Sequence, residues 1–288
     1  MIHRGAEIFL DVARFWASRA EWNAETGCYE FTDVIGPDEY HDHVDNNAYT
    51  NALARWNLKT ALAVLSWLEG RDPQRAAELR RSLELDEKEL RRWREVAEKI
   101  YWKQDESSGL IEQFEGYFQR KQIDLQALEP RTQSIQSLLG IEGASDANIL
   151  KQPDVVMLAY LLPELFDEKT LRANYEYYTA RTDHTFGSSL GPAIHAIIAC
   201  RVGKPDEAYE HFMRAALADL EDVRGNAGDG IHAASAGGIW QAVVFGFGGL
   251  RFEPEGVKTH PCLPRHWKRL AFRVKYRGQA CEFDLRNP

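Results

Sequence analysis

The sequence has no closely spaced cysteines, no long apolar run and no surplus of basic residues, and each absence closes off a class of function. Its four cysteines, Cys28, Cys200, Cys262 and Cys281, lie far apart with no CxxC pair, which argues against a zinc site or a disulfide framework and fits a reducing cytoplasm. No stretch reaches the roughly 18 consecutive apolar residues of a membrane span. The opening "MIHRGAEIFLDVARFW" carries acids and arginine within its apolar run, unlike a signal peptide. With 35 basic against 44 acidic side chains, both signs interleaved, neither nucleic acid nor an anionic membrane is expected as a partner, so any anion binding is local. No His, Asp or Cys group has ligand spacing, "HDH" at 41–43 reads as a loop, and no metal is expected.

What remains is a chain of 288 residues, 44% hydrophobic, enough for one large core or two smaller ones. Its dominant period is helical. "AEIFLDVARFWASRAEW" (6–22) spaces Ile8, Phe9, Val12, Phe15 and Trp16 as the stripe of a helix that packs by that face. Similar periods at 46–69, 86–102, 153–166, 168–179, 190–203, 205–219 and 235–247 predict about eight helices joined by loops of unequal length. "LDEKELRRWREVAEKI" is charged on most faces and reads as a solvated outer helix. Past Leu250 the texture changes to prolines, then to alternation in "LAFRVKYRG" and "ACEFDL". That predicts two short strands around an Arg-Gly turn, a ribbon that needs a further partner. No repeat of fixed period is visible, which favours a closed helical array over a solenoid.

The chemistry gathers in the connections. "GPDEYHDHVDNNAYTN" (36–51) follows a possible strand, "CYEFTDVI", and leads into a helix expected to begin near Asp45. A carboxylate that protonates a leaving group needs a raised pKa, obtained by partial burial among apolar or aromatic groups. Glu39, beside Tyr40 and longer than Asp38, suits this best. The competing reading is that Asp38 and Glu39 decorate a surface turn. Asp42 and Asp45 read as solvent-facing or capping residues in either case. Ser188 and Ser189 precede "LGPAIHAIIACRV" with Pro192 in its first turn, so hydroxyls and unpaired N–H groups converge where an anion is favoured. "GNAGDGIHAASAGGIW" sets His232, Ser235, Gly237 and Gly238 before another apolar helix, which permits close backbone approach to a ligand. Lys151-Gln152 offers a point charge and an amide. Taken alone, each segment reads first as an ordinary cap, tight packing or a surface pair.

Together they read differently. "GPDEYHDHVDNNAYTN", "KQPDVV", "SSLGPAIHAI" and "DGIHAASAGGIWQAVVFGFGGLR", in that order, closely resemble the catalytic region of glycoside hydrolase family 65, the maltose, trehalose and kojibiose phosphorylases, over residues 5–285. The resemblance implies a mainly α fold in which residues 1–250 are an N-terminally incomplete (α/α)6 toroid of the six-hairpin glycosidase type and 251–288 begin a small C-terminal β-domain. The implied activity is inverting phosphorolysis of an α-linked glucose disaccharide to β-glucose 1-phosphate and an acceptor sugar. Glu39 would be its general acid and inorganic phosphate its nucleophile and co-substrate, so that no second carboxylate and no cofactor is needed.

By the same resemblance Lys151 and Gln152 bind the substrate, and Ser188, Ser189, His184, Ser235 and Gly237 belong to the phosphate site. "HTFGSSLG" departs from the relatives' His-Asp-Ser-Ser-Leu-Ser, which displaces His184 from Ser188. Two alternatives stand beside this reading: a trehalase-like α-glucoside hydrolase of the same family, with Glu115 of "IEQFEGYF" as its second carboxylate, and an inactive truncated fragment or interaction module. Relatives precede this region with a β-sandwich, a helical linker and the first toroid helices, including a Trp-Asp pair that holds the glucose ring. The chain is therefore expected to be the C-terminal portion of a cytoplasmic enzyme, with apolar faces covered by a homodimer partner or a complementing N-terminal half. The disaccharide linkage is not readable from these residues.

Overall fold

The structure, a computed structural model, describes residues 4–222 and 224–287. The chain divides into two compact units, one made of residues 1–36, 42–104 and 112–117, the other of 37–41, 105–111 and 118–288.

The first unit contains α1 (Gly5–Arg19), β1 (Glu21–Asn23), β2 (Cys28–Glu30), α2 (Ala48–Arg71), α3 (Pro73–Ser82) and α4 (Glu87–Lys99). Three helices start at a side-chain cap: Asn47 accepts from the Thr50 N–H, Asp72 from Arg75 and Asp86 from Glu89, each satisfying a first-turn donor. The cap of α2 is thus Asn47, not Asp45, which instead accepts the Asp33 N–H at 2.8 Å. The sequence periods did not announce α3, because only Ala76 and Leu79 of its ten residues are buried.

Two helices of this unit turn against expectation. In α1 the buried positions are Ala6, Leu10, Ala13 and Ala17, whereas Ile8, Val12 and Phe15 are 63%, 38% and 55% exposed. Small side chains let α1 lie close on α2, whose Ala54, Leu58, Ala61 and Leu65 share the same core. Close packing has outweighed bulk. In α4, Leu90, Trp93, Val96 and Ala97 are all buried, so the helix is amphipathic rather than solvated on every side; its apolar residues recur at three- and four-residue steps.

The second unit contains α5 (Ile135–Ser145), α6 (Asp154–Leu161), α7 (Glu168–Thr179), α8 (Gly191–Arg201), α9 (Pro205–Ala216), α10 (Ala233–Gln241) and a π-helical segment, Ala242–Phe247. Two antiparallel strand pairs follow it in the chain: the hairpin of β3 (Leu250–Glu253) and β4 (Gly256–Thr259), then that of β5 (Arg269–Tyr276) and β6 (Gln279–Arg286). Every residue of α8 from Gly191 to Cys200 is buried. It is the inner helix, packed by α6, α9 and the π segment. Neither α5, broken at Gly140 (φ 76°), nor the β3–β4 hairpin was foreseen.

The β5–β6 ribbon matches the expected pair of strands and turn; its register runs from Arg269 opposite Arg286 to Tyr276 opposite Gln279, with Arg277 and Gly278 at φ 49° and 85° as a two-residue hairpin loop requires. Among the described residues no third strand joins it. Side chains anchor it instead: a Cβ on Gly248 would meet the Phe272 ring at 2.7 Å, and Tyr276 stacks on Phe252 with centroids 5.4 Å apart. The architecture is mainly α with small antiparallel strand pairs, and none of its described helices is long and apolar enough to cross a membrane.

Candidate active site

Three connections of the second unit are tied together by hydrogen bonds that span long stretches of chain. Asp38, only 1% exposed, is not a surface decoration. Its Oδ1 accepts the N–H groups of Lys151 at 2.8 Å and Tyr40 at 3.3 Å, and its Oδ2 lies 2.6 Å from His41 Nδ1. His41 Nε2 donates onward to the Ala147 carbonyl at 2.8 Å. Residues 147–152 then run beside 181–183, with Leu150 N–H bonded to the Arg181 carbonyl at 2.9 Å and Asp183 N–H to the Leu150 carbonyl at 2.8 Å.

Asp183 fixes the third connection. It pairs with Arg131 through two hydrogen bonds of 2.9 and 2.8 Å, both side chains buried, and accepts the N–H groups of Thr185 and Phe186. Burial alone would raise its carboxyl, but Arg131 and these N–H groups outweigh that and hold it below its ordinary value. The turn it shapes closes at Gly187, where a Cβ would stand 2.2 Å from the Asp183 carbonyl oxygen and 2.9 Å from that of Lys151. Only glycine fits. The closure brings the Ser188 N–H to the Lys151 carbonyl at 3.2 Å and delivers Ser188 and Ser189 to the start of α8.

These segments frame a cleft of about 590 Å³ whose walls include Glu39, Lys151, Gln152, Ser188 and Ser189, together with Arg224 and His232. Lys151 Nζ lies 2.8 Å from Glu39 Oε2. The Gln152 carboxamide grips Glu39 twice, its Oε1 accepting the Glu39 N–H at 3.1 Å and its Nε2 donating to Oε2. These donors hold the Glu39 carboxyl below its ordinary value, Lys151 contributing most and burial opposing weakly. The expectation of an apolar pocket that raises Glu39 is thereby corrected. Its side chain is 53% exposed, and Tyr40 turns away into the core with Leu125 and Ile135, its hydroxyl 3.4 Å from Asp183.

Arg224 was not singled out from the sequence, although it heads the Gly-rich "GNAGDG", where a lone arginine is a usable signal. Among the described residues its Nε is buried without a partner, and burial brings its guanidinium below the ordinary value against the pull of Asp183, Asp219 and Tyr40. His232 is steadied by Asp219, which accepts its N–H at 2.9 Å and faces Nδ1. Among the described residues Glu39 is the one carboxylate on the cleft wall. Two cations, one acid and a row of hydroxyls suit a polyhydroxylated ligand beside an anion.

The structure does not bring three of the expected residues to this cleft. Ser235 is buried and donates to the Ala215 carbonyl at 3.0 Å. Gly237 is exposed with nothing near where its Cβ would be, while Gly238 serves helix packing against Ala193 rather than a ligand. His184 sits in a buried cluster, its ring 4.5 Å from that of His195 and 4.6 Å from that of His211. Burial, and after it the charge that His195 and Arg214 would set beside it, push it well below the ordinary imidazole value. Glu115 belongs to the first unit, where it accepts from Asn46 at 2.9 Å.

Comparison with known proteins gives the same pattern a lineage. The sequence profile of the glycosyl hydrolase family 65 central catalytic domain matches residues 1–241, and that of the family's C-terminal domain matches 250–286. The kojibiose phosphorylase of Caldanaerobacter subterraneus subsp. tengcongensis is 45% identical over 287 residues, covering 99% of this chain and 37% of the relative. The nigerose phosphorylase of Lachnoclostridium phytofermentans is 36% identical over 289 residues, covering 97% and 38%. A solved structure from the human microbiome, itself a candidate kojibiose phosphorylase, superposes with a TM-score of 0.90 at 29% identity over 98% of this chain and 38% of that one. The chain thus spans little more than a third of the length of these relatives. By sequence along nearly all its length and by fold, it belongs to glycosyl hydrolase family 65.

Proposed function

We propose that the chain carries the acid and phosphate-binding part of an inverting disaccharide phosphorylase. Glu39 gives its proton to the glycosidic oxygen, which leaves with the electron pair of the breaking bond, while inorganic phosphate forms a new bond to the anomeric carbon from the opposite side. The products are β-glucose 1-phosphate and a free acceptor sugar. Gln152 orients Glu39, and phosphate lies among Lys151, Arg224, Ser188 and Ser189. The catalytic region in this reading is residues 1–250, with 251–288 opening the C-terminal β-domain.

The observation that carries the proposal is the pairing of a single wall carboxylate with two cations in one cleft. A hydrolase that inverts needs a second carboxylate to activate water, and among the described residues the wall offers none. Relatives named as phosphorylases of kojibiose, nigerose, trehalose and maltose support phosphorolysis as the reaction class. The Lys151 contact bears on the mechanism too. An entering phosphate competes for Lys151, and as that ion pair loosens the Glu39 carboxyl rises toward the range in which it holds a proton.

The test is release of glucose 1-phosphate from a panel of α-linked glucose disaccharides by the purified chain. Product that requires both phosphate and Glu39 supports the reading. Free glucose formed equally well without phosphate, or full activity after Glu39→Gln, overturns it.

A further inference from the structure

A second cavity, of about 340 Å³, lies in the same unit at the junction of α6, α8, the π segment and the β3–β4 hairpin. Its wall includes the polar side chains of Arg201, Arg251 and His260 and the apolar ones of Pro163, Phe166 and Leu171. Gly246 also borders it, where a side chain would intrude on Ile197 and Cys200 of α8. No acidic side chain lines it among the described residues.

The two guanidiniums are unusual in what they lack. Arg201 donates to the Ala159 carbonyl at 2.7 Å near the end of α6, and its Nε is buried with no partner. Arg251 donates to the carbonyls of Phe245 and Leu250 at 2.8 and 2.6 Å. The Ala159 and Phe245 carbonyls lie near helix C-terminal ends and that of Leu250 opens β3; such carbonyls carry partial negative charge but do not neutralise a full cation. Neither arginine has a carboxylate partner among the described residues. Burial and the neighbouring Arg251 bring Arg201 down to about 10, and burial likewise lowers Arg251. Both arginines are partly buried, and the Tyr160 ring, its centroid 5.6 Å from the Arg201 guanidinium carbon, adds only weak cation–π attraction; charges drawn out of water are ordinarily paired. Two cations with no carboxylate partner among the described residues border one cavity and so call for an anion of matching charge, and a dianion answers both where a single carboxylate answers one. Paired guanidinium forks are the geometry that binds phosphate oxygens.

We propose that this cavity binds an oxyanion of the phosphate type through Arg201 and Arg251, distinct from the cleft at Glu39. The apolar wall of Pro163, Phe166 and Leu171 leaves room for the organic part of a small phosphate ester beside the anion. Since the cavity joins helices to the C-terminal strands, an anion there ties Arg201 of α8 to Arg251 of β3.

The experiment uses the chain with Lys151→Ala and Arg224→Ala, which removes both cations of the first cleft and so separates the two sites. Inorganic phosphate and glycerol 3-phosphate are titrated in at constant ionic strength and followed by phosphorus line width and by the thermal midpoint. Saturable binding is expected, weakened at least about tenfold by Arg201→Gln or Arg251→Gln, as for the loss of a charged hydrogen bond. Tighter binding of glycerol 3-phosphate than of phosphate identifies an ester site, and the reverse a free-ion site. Arg251→Lys keeps the charge but not the fork and is expected to fall between. Should Arg201→Gln fail to fold, Arg251→Lys and a selenate-soaked crystal, with its anomalous peak expected between the two arginines, carry the test. No saturable binding, unchanged affinity in the arginine variants, a peak elsewhere, or displacement by equal chloride, which marks an adventitious ion only, overturns the proposal.

Discussion

Lys151 Nζ and Glu39 Oε2 stand 2.8 Å apart across a gap of more than a hundred residues in sequence. The contact joins the proposed acid to the proposed anion site, so charge arriving at one changes proton affinity at the other. With Lys151 in place the carboxyl is held ionised, the opposite of what an acid needs at the moment of proton transfer.

Glu39→Gln preserves the shape of the side chain and removes its proton. Turnover is expected to fall by about 10²- to 10⁴-fold, the usual contribution of a general acid, with circular dichroism and the unfolding midpoint unchanged.

Lys151→Met should let the Glu39 carboxyl rise toward its ordinary value, and saturating phosphate should raise it in the unmutated chain. Carbon-detected NMR titration reads both. The sign follows from the lowered folded value: whatever the pair adds to stability is present at neutral pH and is lost as pH falls through the folded pKa of Glu39. Because the carboxylate is 53% exposed, that contribution is small. A Glu39 titration indifferent to both changes would dismiss the coupling.

Asp38→Ala removes the acceptor for Lys151 N–H, Tyr40 N–H and the His41 ring. Stranding buried donors is expected to cost about 2–3 kcal/mol in urea unfolding. It should also weaken phosphate binding more than a remote core variant of equal cost, such as Leu58→Ala in the first unit. Equal losses of binding in the two would reduce Asp38 to a purely structural role.

Gly187→Ala forces a methyl into the carbonyls of Asp183 and Lys151. The backbone must shift, at a cost of about 1–3 kcal/mol, and Ser188 and Ser189 move with it. Phosphate affinity measured by calorimetry should drop while sugar binding on the Gln152 side changes less. An alanine that leaves both affinities intact would show that the closure at Gly187 is not needed.

The imidazoles of His184, His195 and His211 predict acid sensitivity. Burial lowers all three, His195 to about 4, with Arg214 adding to the penalty and Glu207 opposing it at His195. The unfolded chain binds these protons first, so stability is expected to be full above about 6.5 and to drain away as pH falls toward 4. Urea midpoints between pH 7 and 4.5 measure it, and His195→Gln should flatten the slope.

Much of the fold follows from local pattern. The helical periods at 168–179 and 205–219, the second ending at Ala216 in the structure, the proline starts of α8 and α9, and the Arg277-Gly278 turn of the β5–β6 ribbon are each determined within a few residues. Their cause is near-neighbour sterics, capping and alternation. α3 and α5 escaped because their buried positions are too few to impose a period.

The order of the four motif segments likewise fixed the family, since sequence alone carries descent. What it did not fix is which face of α1 is inner, that Asp38 is buried, that Gly187 closes on two distant carbonyls, or that His184 joins other histidines instead of the cleft. Each depends on a partner far along the chain, as Asp38 depends on Lys151 at a separation of 113 residues. Burial, charge pairing and the resulting proton affinities are set by which groups meet in space. Local periodicity carries no information about those meetings, so tertiary packing alone decided how this chain's acid, cations and hydroxyls share one cleft.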